Sequence, residues 1–349
     1  MITFVATAEH QYTVRDVLET RDHPLHGRIV ILSYEEFTGL PRLPVSAYIF
    51  ADHERLDEDE LPAVLNRIDA LRRACPDCAM LNLPDRIGNR LDIMRRLHEA
   101  GINDFRMMPL RTPPESFRYP VFLRRLDDHE GPRSGLLRTP EALRAAVAAL
   151  DLDDRQGDRF VVTEYIDARN ELGLHEKRSY TRVGDRLFPS ALDQSRDWIC
   201  KGEFTDLSIV PAAEREMAFL QGNEDEPVLR AAFEATGIQY GRADYALVNG
   251  RPQIFEINTN PYVDNPETVP ERGHVAAAHI SSAWLDALVR LSDAMPPSAG
   301  VWREVPHGTG RILWAPTRRR TVHMAMRGLR QLHNETKAMR WLRRFRLIP

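Results

Sequence analysis

Four polar side chains recur at alternate positions within the stretch Gly237–Val263, late in the sequence. Arg242 and Asp244 lie on a first short apolar run, and Glu256 and Asn258 lie on a second. A period of two is typical of β-strands, whose successive side chains point to opposite faces of a sheet. The pattern therefore predicts a β-hairpin.

The turn of this hairpin decides whether its two carboxylates meet. Residues 248–251 (Val-Asn-Gly-Arg) separate the two runs, and Gly250 is suited to a positive φ. A three-residue loop with Gly250 in the left-handed region would place Arg242 opposite Glu256, with all four polar side chains on one face. A two-residue Asn-Gly turn would shift the register by one and separate the carboxylates. The sequence leaves both registers open.

Two carboxylates and an amide oxygen on one face form a set of hard oxygen ligands. Such a set suits Mg²⁺, held jointly with phosphate oxygens, better than zinc or iron. The neighbouring Arg242 can neutralise charge that develops on a transferred phosphoryl group. The alternative is an ordinary surface hairpin whose outward face is polar.

This hairpin resembles the metal-binding end of the ATP-grasp superfamily, carboxylate–amine ligase type, in the segments Arg242-Ala243-Asp244 and Glu256-Ile257-Asn258-Thr259-Asn260-Pro261. The chain is similar in this respect to D-alanine–D-alanine ligase-like and glutathione synthetase-like proteins. The resemblance implies ATP and Mg²⁺ as cofactors, with Asp244, Glu256 and Asn258 as metal ligands and Arg242 as a catalytic residue. It extends over roughly residues 85–290 in the family's order of segments.

Two arginines stand where the family has phosphate-binding lysines. Arg90 opens a helix-like run that ends in Ala-Gly-Ile, and Arg124 lies four residues after the proline of the run 119–125. The resemblance assigns both to nucleotide phosphate, although a guanidinium is a planar fork and not a point charge. Residues 127–135 occupy the place of the family's mobile phosphate loop; as a bare loop they are a surface connection.

The run 159–166 reads as a buried strand that ends in polar residues. At this place the family binds the adenine ring, so the resemblance assigns Glu164, Tyr165 and Ile166 to the base. Glu171 matches the carboxylate that holds the ribose hydroxyls, and Asp167 is the competing candidate.

A second hairpin spans residues 177–186 and alternates basic with small or aromatic residues. Arg178 is the choice for the family's arginine that contacts the terminal phosphate or the acyl phosphate, and Lys177 lies on the other face. Further candidate substrate contacts, which the pattern does not rank, are Tyr34, His98, Tyr180, Asp193 and Lys201.

The amino-acid composition limits which class of protein this chain can belong to. The chain has 349 residues, 28% of them charged and 43% hydrophobic, and no apolar run approaches the length of a membrane span. The start shows no secretory signal, which predicts a cytoplasmic location. Three cysteines are too few for a disulfide framework, and Cys75 and Cys78 lack a second pair for a zinc site. We expect three reduced thiols.

Charge is distributed unevenly along the chain. Residues 317–349 hold ten Arg or Lys and one Glu, a charge of about +9. The rest of the chain carries about −13, which gives the net charge of −4. This basic segment could contact an anionic membrane, nucleic acid, an acidic partner or the acidic body of its own chain. We favour the last and expect no nucleic acid. Arginine outnumbers lysine 44 to 3, so arginine is the background cation here.

The predicted fold class is α+β. An α/β N-terminal lobe (residues 1–115) with alternating strands and helices precedes an ATP-grasp body (116–300) of two lobes that clasp ATP, and a basic C-terminal extension (301–349) follows. The resemblance implies an ADP-forming ligase that joins a small-molecule carboxylate to an amine, or forms a peptide, through an acyl phosphate. It also suggests a homodimer. The alternatives are a kinase-like phosphotransferase and a non-catalytic nucleotide-binding module.

Overall fold

The computed structural model describes most of the chain: residues 1–19, 22–57, 59–126, 131–150, 152, 157–200, 212–269 and 273–307. Three sequence predictions fall outside these ranges. They concern residues 127–130 of the expected phosphate loop, Lys201 and the basic segment beyond residue 307.

The N-terminal lobe is built on a four-stranded parallel sheet in the order β2-β1-β4-β5. Its strands are β1 (Ile2–Ala6), β2 (Ile29–Ser33), β4 (Ala47–Phe50) and β5 (Ala79–Leu81). Its helices are α1 (Tyr12–Leu18), α2 (Tyr34–Gly39), α3 (Glu60–Ala74) and α4 (Pro84–Ile87). Successive side chains of β4 join different cores, because Ile49 belongs to one apolar cluster and Phe50 to another.

Two antiparallel sheets form the body. The first has the strand order β6-β8-β7 and contains β6 (Met107–Pro109), β7 (Val121–Arg125) and β8 (Phe160–Glu164). The second has the order β10-β9-β11-β12 and contains β9 (His175–Val183), β10 (Arg186–Ser195), β11 (Tyr240–Val248) and β12 (Arg251–Asn258). The helices are α5 (Arg90–Glu99), α6 (Pro140–Ala148), α7 (Ala212–Gln221), α8 (Glu226–Thr236) and α9 (His274–Asp293).

Sequence signals account for the helix ends. The Asn89 side chain accepts a hydrogen bond from the backbone N–H of Asp92 and begins α5, and Gly101 follows the helix at φ 68°. Thr139 caps α6 and Pro140 is its first residue. The predicted fold class is confirmed, since an α/β lobe precedes a body of antiparallel sheets and helices.

Helix α9 and a short strand pair fasten the body to the N-terminal lobe. Trp284 of α9 is buried in one cluster with β1 residues and donates from its indole N–H to the hydroxyl of Tyr240, 3.3 Å away. Strand β3 (Arg42–Pro44) pairs with β13 (Trp302–Glu304), which returns residues 302–304 to the N-terminal lobe.

Asn82 joins the N-terminal lobe to the start of β11. It is fully buried at φ 58°, a left-handed conformation that asparagine tolerates. Its amide group donates to the carbonyl of Tyr240 (2.6 Å), and its oxygen accepts from the backbone N–H groups of Gln239 (2.8 Å) and Tyr240 (3.0 Å). One side chain therefore positions the strand that carries Arg242 and Asp244.

Asp52, in the left-handed region after β4, joins the N-terminal lobe to the end of β12. Its buried carboxylate contacts Thr7, His10 Nδ1 (2.8 Å) and Arg55 Nε (2.6 Å), while its N–H donates to the Thr259 hydroxyl (3.0 Å). Burial acts to raise its pKa, but the hydrogen bond with His10 and the charge of Arg55 outweigh burial and lower the pKa to about 2.

We expect Asn82→Ala to lower the free energy of unfolding by about 2–4 kcal/mol, because it leaves several buried backbone groups unsatisfied. Urea unfolding measures the change. The matched control is Asn223→Ala at an exposed position before α8, for which we expect a change within about 0.5 kcal/mol. Equal effects of the two substitutions would contradict the role given to Asn82.

The pKa of Asp52 predicts an acid-dependent loss of stability. Because the folded-state pKa of Asp52 is lowered to about 2, its ionised form contributes about 2 kcal/mol of stability above pH 4, and this contribution is lost as the pH falls through 2. We therefore expect Asp52→Asn to destabilise the protein at pH 7 and to flatten the pH dependence of the urea midpoint between pH 4 and pH 2. Asp69→Asn, at an exposed carboxylate of α3, is the control and should leave the native profile unchanged.

Candidate active site

The β11–β12 hairpin has the two-residue turn, and a β-bulge corrects its register. Asn249 (φ 51°) and Gly250 (φ 77°) are both left-handed, as a type I′ turn requires, and Val248 pairs with Arg251. The register then shifts by one residue between Asp244 and Tyr245, so Phe255 is the extra residue of β12.

The bulge brings the predicted residues to one face in a pairing that neither sequence alternative described. Asp244 lies opposite Glu256, and Arg242 lies opposite Asn258. The three-residue loop with Arg242 opposite Glu256 is not formed. The two-residue turn is formed, but it does not separate the carboxylates, because the bulge compensates for its shift in register.

Asp244 contacts cations and a hydroxyl. Its Oδ1 accepts from the hydroxyl of Ser179 (2.9 Å) and from Arg242 Nε (3.0 Å), and its Oδ2 lies 3.6 Å from Lys177 Nζ. The charge of Asp244 raises the pKa of Arg242 and outweighs burial, which acts to lower it.

Glu256 receives the two arginines predicted to bind phosphate. Its Oε2 lies 3.2 Å from Arg90 Nη2 and 2.9 Å from Arg124 Nη2. Arg90, the first residue of α5, is buried and also donates to the carbonyl of Arg125 (3.1 Å). The Nε of Arg124 is buried, and among the described residues it has no hydrogen-bond partner. Both arginines thus reach the carboxylate expected to bind metal.

The oxygen set on this face fits a hard divalent cation. Asp244 and Glu256 are directly opposite, and Asn258 lies two residues further along β12, where its Oδ1 accepts from the N–H of Asn260 (2.9 Å) and keeps a second lone pair. Within the described ranges no group of three or more His, Cys, Asp or Glu side chains could hold a metal. A metal here would depend on two carboxylates, the amide and oxygens of a ligand.

A cavity of about 190 Å³ lies between the two antiparallel sheets and ends at these carboxylates. Its apolar wall includes Phe105, Phe122, Ile166, Trp198 and Phe255, and its polar end has Arg124, Lys177, Asp244 and Glu256. The rings of Phe122 and Trp198 lie 5.0 Å apart, and those of Tyr165 and Trp198 lie 6.0 Å apart. The cavity therefore suits a ligand with a flat apolar ring, which would lie against the aromatic wall, and an anionic tail, which would reach the polar end.

The predicted base-binding segment lines the cavity, but the carboxylate of Glu164 has another role. Both of its oxygens are bound by Arg106 and Arg118, including Arg106 N (3.0 Å) and Arg118 N (2.8 Å). Burial acts to raise the pKa of Glu164, but these hydrogen bonds outweigh burial and lower it. The side chain fastens β8 to its neighbouring loops, and the other two residues of the predicted segment, Tyr165 and Ile166, line the cavity.

The predicted ribose carboxylates lie outside the polar end of the cavity. Glu171 is exposed in the turn before β9 and does not line the cavity. Asp167 forms an ion pair with Arg169 on the surface. The structure therefore does not bring Glu171 together with the other predicted residues.

Arg178 is a correction to the sequence analysis. It bonds to Glu176 (2.9 Å) and Asp225 (3.0 Å) and lies over the ring of Phe219. Alternation along β9 directs Arg178 away from Asp244, because Ser179 is the residue whose side chain reaches that carboxylate. The catalytic assignment of Arg178 assumed that the arginine face of β9 was the cavity face.

Lys177 is the cation that sequence reasoning missed. It lines the cavity, lies opposite Asp193 of β10, and places Nζ 3.1 Å from Asp193 Oδ2. Burial acts to lower its pKa, but the carboxylates of Asp244 and Asp193 outweigh burial and raise it. The available signals were its scarcity in an arginine-rich chain and its place on the face opposite Arg178.

Two other expectations bear on the class of protein. Cys75, Cys78 and Cys200 are free thiols, and burial raises the pKa of each. Across the part of the chain that the structure describes, no helix combines the length and apolar character needed to cross a bilayer.

Comparison with known proteins finds similarity at the level of solved structures. Neither a family model nor a curated protein matches the sequence. The D-alanine–D-alanine ligase of Bacillus anthracis, solved with ATP, matches with a TM-score of 0.49 and 14% identity over 84% of this chain and 97% of the ligase.

Two further structures are similar. The RimK domain protein ATP-grasp of Sphaerobacter thermophilus has a TM-score of 0.43 and 15% identity, over 81% of this chain and 99% of that protein. N5-carboxyaminoimidazole synthase of Aspergillus clavatus, solved with ADP and 5-aminoimidazole ribonucleotide, has a TM-score of 0.46 and 13% identity, over 85% and 78%. These values describe distant similarity, so function has to be inferred from this chain's own residues. The matching structures are ATP-grasp proteins, the superfamily that the motifs of this chain resemble.

Proposed function

We propose that this chain is an ATP- and Mg²⁺-dependent ligase that joins a small-molecule carboxylate to an amine and releases ADP and phosphate. One observation supports it most directly. Two opposed carboxylates line one end of a cavity together with Arg124 and Lys177, its other end is apolar and aromatic, and Arg90 contacts Glu256. This arrangement suits a nucleotide whose phosphates reach a metal site.

The residues would divide the work by position. Tyr165, Ile166 and the aromatic wall would hold the base and exclude water. Arg90 and Arg124 would leave Glu256 to bind phosphate oxygens, and Arg242 would stabilise the charge that develops on the transferred phosphoryl group. Asp244, Glu256 and Asn258 would hold Mg²⁺, which supplies charge neutralisation across the phosphates.

The bond changes proposed are those of carboxylate activation. An oxygen of the substrate carboxylate attacks the γ-phosphorus of ATP, the bond from that phosphorus to the bridging oxygen breaks, and ADP leaves. The amine nitrogen then attacks the acyl carbon of the acyl phosphate, phosphate leaves, and the nitrogen loses a proton. The product is an amide.

Calorimetric titration with ATP tests the nucleotide and metal assignments. In the native chain we expect Mg²⁺ to tighten ATP binding by about tenfold, or about 1.4 kcal/mol. In Glu256→Gln we expect the ratio of the Kd without Mg²⁺ to the Kd with Mg²⁺ to fall to about 1, because one metal ligand is lost. Glu234→Gln, at an exposed glutamate of α8, is the control and should keep the native ratio. No ATP binding by the native chain would overturn the proposal.

A phosphate-release assay with pools of carboxylates and amines tests the reaction. We expect ADP and free phosphate to form together only when a carboxylate is present, and Glu256→Gln to lower the rate by at least about 100-fold. Glu234→Gln should retain the native rate. ADP with a phosphorylated product and no free phosphate would indicate a phosphotransferase, and ATP binding without turnover would indicate a binding module.

A further inference from the structure

Each carboxylate of the candidate metal site already lies between two cationic side chains. Asp244 is 3.0 Å from Arg242 and 3.6 Å from Lys177. Glu256 is 3.2 Å from Arg90 and 2.9 Å from Arg124. A divalent cation approaching these oxygens therefore meets positive charge on both sides, and this repulsion is strong in a partly buried cavity.

Lys177 has the most metal-like position of the four cations. Its Nζ contacts Asp244 Oδ2 of β11 and, 3.1 Å away, Asp193 Oδ2 of β10, so one ammonium bridges carboxylates from two strands. The side chain is 18% exposed and lines the cavity. An ammonium is a compact point charge on a flexible stem, unlike the planar guanidinium of the arginines.

Cations already compensate the carboxylates of the candidate metal site without any metal. Arg242 and Lys177 lie beside Asp244, and Arg90 and Arg124 lie beside Glu256. A site that binds Mg²⁺ alone would instead present uncompensated negative charge. The same four cations favour the phosphates of a nucleotide over a free divalent cation.

We propose that the ammonium group of Lys177 occupies the position of the metal ion in the nucleotide-free protein. When nucleotide binds, this ammonium moves away from the carboxylates and contacts the phosphates. The protein then binds ATP without a divalent cation and does not bind the divalent cation without ATP. This inference rests on the proposed function and specifies the order in which its two cofactors enter. The polyphosphate supplies the negative charge that releases Asp244 and Glu256 for metal.

Calorimetry on the full native chain gives the first test. With ATP in EDTA we expect binding no more than about tenfold weaker than with excess Mg²⁺. With MgCl₂ or MnCl₂ alone, at concentrations up to the millimolar range, we expect no binding heat. Binding of Mn²⁺ alone with a submillimolar Kd, or ATP binding that is absent in EDTA, overturns the inference.

Lys177→Met gives the second test, with Lys177→Arg as the charge-preserving variant. Removing the ammonium should weaken ATP binding in EDTA by at least about tenfold and allow Mn²⁺ to bind alone, so the ratio of Kd values without and with Mg²⁺ should rise to about 100. Lys177→Arg should remain within about threefold of native in EDTA. Arg186→Met removes a cation at the exposed far end of the same hairpin, and it should bind as the native chain does.

The outcomes separate this inference from the proposed function. If the native chain binds ATP only with Mg²⁺ and Lys177→Met behaves as native, then Lys177 merely fastens β9 to its neighbours, and the ligase proposal stands without this inference. If the native chain binds no ATP under any condition, both are wrong. The native titrations do not depend on how well Lys177→Met folds, and a thermal melt of that variant decides whether its result counts.

Discussion

Two like charges at directly opposite positions of paired strands constrain the body of this protein. Asp244 and Glu256 face each other across β11 and β12, a placement that destabilises a sheet unless the charges are compensated. Compensation comes from separate elements, because Arg90 lies on α5, Arg124 on β7 and Lys177 on β9. The repulsion at one pair of positions thus determines how a helix and two sheets must be arranged around the cavity.

Much of the architecture follows from local sequence. Short apolar runs predict the parallel strands of the N-terminal lobe. Individual residues indicate the helix cap at Thr139 and the Asn-Gly turn. The register of the β11–β12 pairing could not be predicted in this way, because no residue type marks a β-bulge as clearly as Asn-Gly marks a turn. Alternation showed that Lys177 and Arg178 lie on different faces of β9, and only the packing of Tyr180 and Tyr245 against α8 decides which face meets the cavity.

Partners that are distant in sequence account for the other differences. Glu164 is bound by Arg106 and Arg118, which precede it by 58 and 46 residues. Trp198 joins the cavity wall from beyond β10. These contacts depend on how the two antiparallel sheets approach each other, and a single sequence carries no direct record of that approach.

The bulge at Phe255 has a consequence for how the hairpin could vary. If Phe255 were absent and the turn unchanged, β11 and β12 would pair as a regular ladder, and the glutamate of β12 would still lie opposite Asp244. Phe255 is therefore an additional residue in β12 that leaves the order of the oxygen ligands unchanged. What the additional residue supplies is a phenyl ring on the cavity wall next to Glu256. The chemistry of the polar face and the shape of the apolar wall can consequently change independently, although both are encoded in the same eight-residue strand.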